Sequence, residues 1–143
     1  MNVKTILAAK GGDIISIEPT ADLTTAARLL GAHRIGAVVI RGAGGRLAGI
    51  LSERDIVRAI SEHGADALTL PVGQVMTRNV ATCGEDDTVA TIMERMTEGK
   101  FRHMPVLSQG ELIGLVSIGD VVKQRVGEIE QESEAMRDYI RTA

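Results

Sequence analysis

Two stretches of this 143-residue chain place a serine and an aspartate three residues apart behind a short apolar run. One is Gly49-Ile50-Leu51-Ser52-Glu53-Arg54-Asp55 and the other is Gly114-Leu115-Val116-Ser117-Ile118-Gly119-Asp120. A hydroxyl where a strand becomes a helix can cap the helix and leave nearby backbone N–H groups available to an anion. A carboxylate three residues on can accept hydrogen bonds from both hydroxyls of a ribose, each charge-assisted contact contributing roughly 1.5–3 kcal/mol. The same spacing is also a weaker relative of the capping box, with Asp in place of Glu. Taken singly, each Ser-x-x-Asp therefore reads first as a helix cap. The recurrence of the same Gly-apolar-apolar lead-in shifts the balance towards ligand binding.

No catalytic constellation accompanies them. The chain has no Gly-x-Ser-x-Gly elbow, no His-Glu-x-x-His and no Cys-His pairing around Cys83, which falls in an expected strand as a small buried hydrophobe. An enzyme is disfavoured. Lys10-Gly11-Gly12 is glycine-rich but precedes a strand and lacks the spacing of a phosphate-binding loop. His33 and His63 have no companions at metal-ligand spacing and are expected at the surface.

The elements that position the two motifs come as a repeated set. Leu23, Ala26, Ala27 and Leu30 fall on Val89, Ile92, Met93 and Met96, and both sets trace one face of a helix. Asp22 and Thr88 stand before them as N-caps. Val3, Ile6 and Leu7 match Val72, Val75 and Met76, so each half opens with a short apolar turn. Each half then reads as strand, helix, two strands joined by a Gly-rich turn, and helix. The first set is expected at roughly residues 14–17, 23–32, 36–40, 47–51 and 53–62. The second is expected at roughly 80–83, 89–98, 104–107, 112–116 and from 118 onward. The fold class is thus mixed α+β, a tandem pair of β-α-β-β-α motifs with a C-terminal helix. Motif 1 is expected over 3–62, a linker over 63–71, motif 2 over 72–126 and a helical tail over 127–143. One such unit has little core of its own, so the two are expected to pack face to face. In the tail, Val122, Val126, Ile129, Ser133, Met136 and Ile140 alternate by four and three. That is either a short coiled-coil seam or a helix folded back on its own domain.

Composition removes several function classes. Sixteen Lys and Arg against 19 Asp and Glu leave a net charge of −3, which gives no basic face for duplex nucleic acid. One Phe, one Tyr and no Trp argue against single-strand binding by base stacking. No apolar run approaches the ~20 residues of a membrane span, and the N-terminal segment lacks a signal core. The single Cys fits a reducing cytoplasm, which is the expected location.

The two Gly-apolar-apolar-Ser-x-x-Asp motifs, with Ile35-Gly36-Ala37-Val38-Val39 and Phe101-Arg102-His103-Met104-Pro105-Val106, resemble the CBS (cystathionine-β-synthase-like) domain over about residues 3–126. The resemblance implies a tandem pair, or Bateman module, whose two clefts are related by pseudo-twofold symmetry and take adenosine-containing ligands. It places Gly36-Ala37 and Arg102-His103 near ligand phosphates. Arg102 can form a forked contact there, His103 can donate one or two hydrogen bonds, and Arg54 is a second cationic candidate. Ile14, Ile15, Ile35, Val80, Phe101 and Met104 are expected to line the adenine, although most serve equally well as core. The function expected is a regulatory sensor of AMP, ADP or ATP, with no catalytic cofactor, acting as a homodimer on an unknown regulated protein. NAD or S-adenosylmethionine in the same cleft, and a ligand-free structural dimerisation module, are the competing readings. The cleft at Asp55 is expected to bind AMP more tightly, its phosphates directed at Arg102 and His103, while Arg54 serves the cleft at Asp120.

Overall fold

The computed structural model describes residues 1–142. Its elements are α1 (Val3–Lys10), β1 (Ser16–Ile17), α2 (Leu23–His33), β2 (Ala37–Arg41), β3 (Leu47–Ser52), α3 (Glu53–His63), α4 (Val72–Val75), α5 (Val89–Gly99), β4 (His103–Ser108), β5 (Glu111–Ser117) and α6 (Ile118–Thr142). The mixed α+β class and the repeated order of elements agree with the sequence. Asp22 and Thr88 cap α2 and α5 as expected, each side chain accepting the backbone N–H three residues on.

The chain forms two compact units. The first is Asp13–Ala81, and the second joins Met1–Gly12 to the chain from Thr82 onward. The units are therefore offset from the sequence repeats: each short opening helix packs with the other repeat. Glycine explains how. A Cβ on Gly49 would lie 2.7 Å from both the Met76 sulfur and the Thr77 carbonyl, and one on Gly114 would lie 2.6 Å from Leu7 Cδ2. These matched glycines, which open the two Ser-x-x-Asp motifs, admit α4 against β3 and α1 against β5. An eight-residue helix is marginal alone. Full burial of Val3 and Ile6 holds α1 in place, each contributing about 1.5–3 kcal/mol.

In the first unit β1 runs parallel to β2, and β2 pairs antiparallel with β3, in the order β1-β2-β3. Leu23, Ala26 and Leu30 of α2 pack with Val38, Ile40, Leu51, Ala59, Ala67 and Val72 as its core. The stretch expected as a linker is structured: Gly64–Thr69 forms a 3-10 helix, and Ala67 is fully buried in that core.

The second unit has only β4 antiparallel to β5. The strand expected at 80–83 does not form, and Cys83 makes a single parallel bridge to Val106. The cause is Pro105. In the first unit Val39 N–H donates to the Ile15 carbonyl, and Pro105 stands at the position matching Val39, with no N–H to donate. Cys83 is buried, as expected. With Val3 and Ile6 of α1, the buried apolar residues here are Cys83, Val89, Ile92, Met96, Met104, Val106, Val116 and Val121.

The last helices also differ. Gly64, at φ 64°, ends α3, whereas Ile129 occupies the matching place in α6, which continues for 25 residues as one helix. Motif and tail are thus continuous through residue 126. Val122, Val126, Ile129, Met136 and Ile140 are all exposed, so this stripe faces away from the unit, while another face of α6 lies against it, with Glu128 paired to the Met1 amino group at 3.2 Å. Ala143 lies outside the described residues.

Candidate functional site

Both Ser-x-x-Asp motifs lie where a strand hands over to a helix, and the handover is built the same way twice. Glu53 N–H donates to the Gly36 carbonyl at 3.0 Å, and Ile118 N–H donates to the Arg102 carbonyl at 2.8 Å. Ala37 pairs with Ser52 and His103 pairs with Ser117 across the two hairpins. Gly36, Ala37, Ser52 and Asp55 therefore come together in the first unit, and Arg102, His103, Ser117 and Asp120 in the second.

At the first junction Ser52 and Asp55 form a reciprocal capping box. Asp55 N–H donates to Ser52 Oγ at 3.3 Å, and Ser52 N–H donates to Asp55 Oδ2 at 2.9 Å. Both oxygens are further engaged: Ser52 Oγ donates to Oδ2 at 3.2 Å, Arg58 Nη2 to Oδ1 at 2.7 Å and Thr77 Oγ1 to Oδ1 at 3.3 Å. Asp55 is only 4% exposed. A buried carboxylate is tolerable only when paired and hydrogen-bonded, and Arg58 with Thr77 meets that need.

At the second junction Asp120 N–H donates to Ser117 Oγ at 3.2 Å, and Ser117 N–H donates to Asp120 Oδ2 at 2.9 Å. Its cation comes from α1: Lys10 Nζ donates to Asp120 Oδ2 at 2.8 Å. The Asp120 side chain keeps 25% of its exposure. Burial works to raise the Asp120 carboxyl, but the hydrogen bond and charge of Lys10 and the Ser117 amide outweigh it and hold it below the ordinary carboxylate range.

The remaining expected residues divide. Arg102 is exposed and His103 half-buried at the start of β4; Arg54 is exposed in the first turn of α3. Ile15 and Ile35 pack against the first core, and Ile14 is half-buried. Phe101 is half-buried with its ring against Gly99, where a side chain would collide with it. Val80 is half-buried outside any strand. Met104 and Ala37 are buried, at 0% and 1% exposure. His33 and His63 are exposed.

Sequence reasoning missed Lys10, Arg58 and Thr77 as groups that hold the two aspartates. Arg58 was findable from its place three residues after Asp55 on one helix. Lys10 was not, because its partner is far along the chain. A depression of about 400 Å³ in the second unit, lined by Met1, Thr88, Ala90, Glu128, Gln131 and Glu132, contains none of the expected residues. Among the described residues no His, Cys, Asp and Glu side chains cluster as a metal site. No described helix is long and apolar enough to cross a membrane.

A model of the CBS domain matches residues 4–62 and 72–127. The chain is 38% identical over 112 residues to CBS domain-containing protein CBSX3, mitochondrial, of Arabidopsis thaliana, over 76% of this chain and 54% of that protein. It is 28% identical over 120 residues to CBS domain-containing protein YhcV of Bacillus subtilis (strain 168), over 84% and 82% of the two chains. The chain thus spans about half the length of the mitochondrial relative. Among solved structures, the CBS-domain containing protein ATU1752 from Agrobacterium tumefaciens superposes with a TM-score of 0.85 at 46% identity, over 87% of this chain and 92% of that one. The CBS domain pair of protein MJ0100, in complex with 5'-methylthioadenosine and S-adenosyl-L-methionine, superposes with a TM-score of 0.79 at 26% identity, over 90% and 98%.

Proposed function

Because the chain belongs to the CBS-domain family and carries two CBS domains, we propose that it is a regulatory ligand-sensing module that binds adenosine nucleotides, AMP, ADP or ATP, and changes a partner interaction when it does. The observation that carries this reading is the pair of carboxylates at identical strand-to-helix junctions, one of them partly open to solvent. A ribose diol donates two hydrogen bonds, and a carboxylate backed by a helix N-terminus accepts them. The adenosine-containing ligands of the MJ0100 domain pair support the ligand class.

Accessibility orders the two sites. Asp120 can meet a diol after a single ammonium moves, whereas Asp55 has its oxygens engaged by Ser52, Arg58 and Thr77. We therefore assign first occupancy to Asp120, with Ser117 and the neighbouring Arg102 and His103 serving the phosphates. This reverses the order expected from the sequence, where burial of Asp55 was not visible. No catalytic activity is proposed. The lone buried thiol suits a reducing compartment, and the cytoplasm is our reading. Exposed Val57 and Ile60 on α3, with Val122, Val126 and Ile129 on α6, supply the apolar faces of a homodimer. Light scattering at tens of micromolar should return twice the chain mass; a monomer would contradict that part.

The ligand test is a thermal-shift series with AMP, ADP, ATP, NAD, NADH and S-adenosylmethionine. A ligand at ~100 times its Kd stabilises by about 2.7 kcal/mol. A nucleotide shift that Asp120→Asn removes is the expected result. A second reading, an S-adenosylmethionine sensor, draws on the ligands of the MJ0100 pair; it gains if only the sulfonium compound shifts the protein.

A further inference from the structure

Thr77 and Lys10 do the same two jobs in different units. Thr77 donates its backbone N–H to the Ile50 carbonyl at 2.9 Å and its hydroxyl to Asp55 Oδ1 at 3.3 Å. Lys10 Nζ donates to the Leu115 carbonyl and to Asp120 Oδ2, both at 2.8 Å. Leu115 and Asp120 are the repeat equivalents of Ile50 and Asp55. The first unit thus closes its junction with a neutral hydroxyl from the segment after α4, beside a guanidinium from its own helix. The second closes the matching junction with one ammonium from the end of α1.

We propose that Lys10 determines specificity at the Asp120 site, selecting nucleosides that carry a phosphate over neutral or cationic ones; this rests on the proposed adenosine reading. When a ribose diol takes Asp120, two neutral hydroxyls replace the ammonium as donors. Lys10 then keeps only the Leu115 carbonyl, in a setting where its side chain is 37% exposed and an unpaired charge is only partly hydrated. A phosphate on the incoming ligand gives the ammonium a new counter-ion. Adenosine gives it none, and a sulfonium brings a like charge close to it. An ammonium on a flexible four-carbon stem can pass from one oxyanion to another without moving the backbone. Lys10 thereby shields Asp120 from neutral diols and admits anionic ones.

Calorimetric titration of the full chain tests this with AMP, adenosine and S-adenosylmethionine as probes. The proteins are wild type, Lys10→Met, Lys10→Arg and Asp120→Asn, and the binding that Asp120→Asn removes defines the site. Lys10→Met should weaken AMP and strengthen adenosine, so that their affinity ratio falls by about tenfold or more. Lys10→Arg should retain most of the ratio. Lys10→Gln, which can still donate to Leu115, gives the same comparison should circular dichroism show that the Met variant has lost helix. Equal losses for AMP and adenosine, leaving the ratio unchanged, would overturn the proposal and make Lys10 a strut for α1. A wild-type protein in which no probe binds through Asp120 would overturn the adenosine reading itself, and this inference with it.

Discussion

The two strand-to-helix junctions share a motif and differ in what neutralises its aspartate. In the first unit the carboxylate is buried under an arginine of its own helix and a threonine hydroxyl. In the second it is partly open and held by a lysine from the far end of the chain. The duplicated backbone conserves the capping box, while the third partner is supplied by whichever segment packs alongside. A repeated motif therefore fixes the position of a carboxylate without fixing its accessibility.

The largest difference between the units should be seen at Cys83, whose counterpart is Ile17. Burial pushes its thiol up to about 12, with the charge of Asp87 adding to the shift and Arg95 opposing it. Unfolding returns the group to an ordinary value near 9.0. Below pH 9.0 the native protein should thus react with a thiol reagent many-fold more slowly than the denatured chain. The linkage has a definite sign: the unfolded chain loses the thiol proton first, so stability should fall as pH rises between these two values. Equal alkylation rates for native and denatured chains would refute the burial.

The close-approach glycines give the next contrast. At Gly49 a methyl group meets the Thr77 carbonyl, which is backbone paired to Ile50. At Gly114 it meets only the end of the Leu7 side chain, which can rotate. Gly49→Ala should cost about 3 kcal/mol in urea denaturation and Gly114→Ala about 1 kcal/mol. Equal costs would mean that the two opening helices are seated alike.

Replacing the aspartates sharpens the same comparison. Asp55→Ala removes a cap and orphans a buried arrangement, for an expected loss of about 2 kcal/mol. Asp120→Ala, at a more open site, should lose about 1 kcal/mol. The order of the two is the test, and Asp120 costing more would contradict the burial of Asp55.

The smallest effect concerns acid. The Asp120 carboxyl is held below its ordinary value of 3.8. It contributes stability that is fully present above that value and is lost as pH falls through the depressed one. Asp120→Asn should therefore flatten the acid limb of the stability profile below the ordinary value of 3.8. An unchanged limb would show that the Lys10 pair is not formed in solution.

Much of this fold is written in local patterns. The helical faces of Leu23 to Leu30 and Val89 to Met96, their caps, and the hairpins that end in Ser-x-x-Asp depend on neighbours within a few residues. What escaped local reasoning depends on distant partners. The exchange of opening helices turns on space above Gly49 and Gly114, which no periodicity records. The strand expected at 80–83 has suitable residues, and it fails because Pro105 in another strand cannot donate. Ala67 lies in a stretch whose composition suits a linker, yet it is buried because Leu23 and Val72 close over the same core. At the site, Ser52, Asp55, Ser117 and Asp120 were legible from spacing. Their third partners were not, since Lys10 reaches Asp120 only after α1 has docked.

The central claim, that the chain senses adenosine nucleotides through the more open of two matched carboxylates, is tested most directly by titrating AMP into wild type, Asp120→Asn and Asp55→Asn in a calorimeter. Loss of the tighter binding event in Asp120→Asn, with that event retained in Asp55→Asn, is the result expected. No heat with any adenosine compound at millimolar concentration, or a tight site that survives Asp120→Asn unchanged, would contradict it.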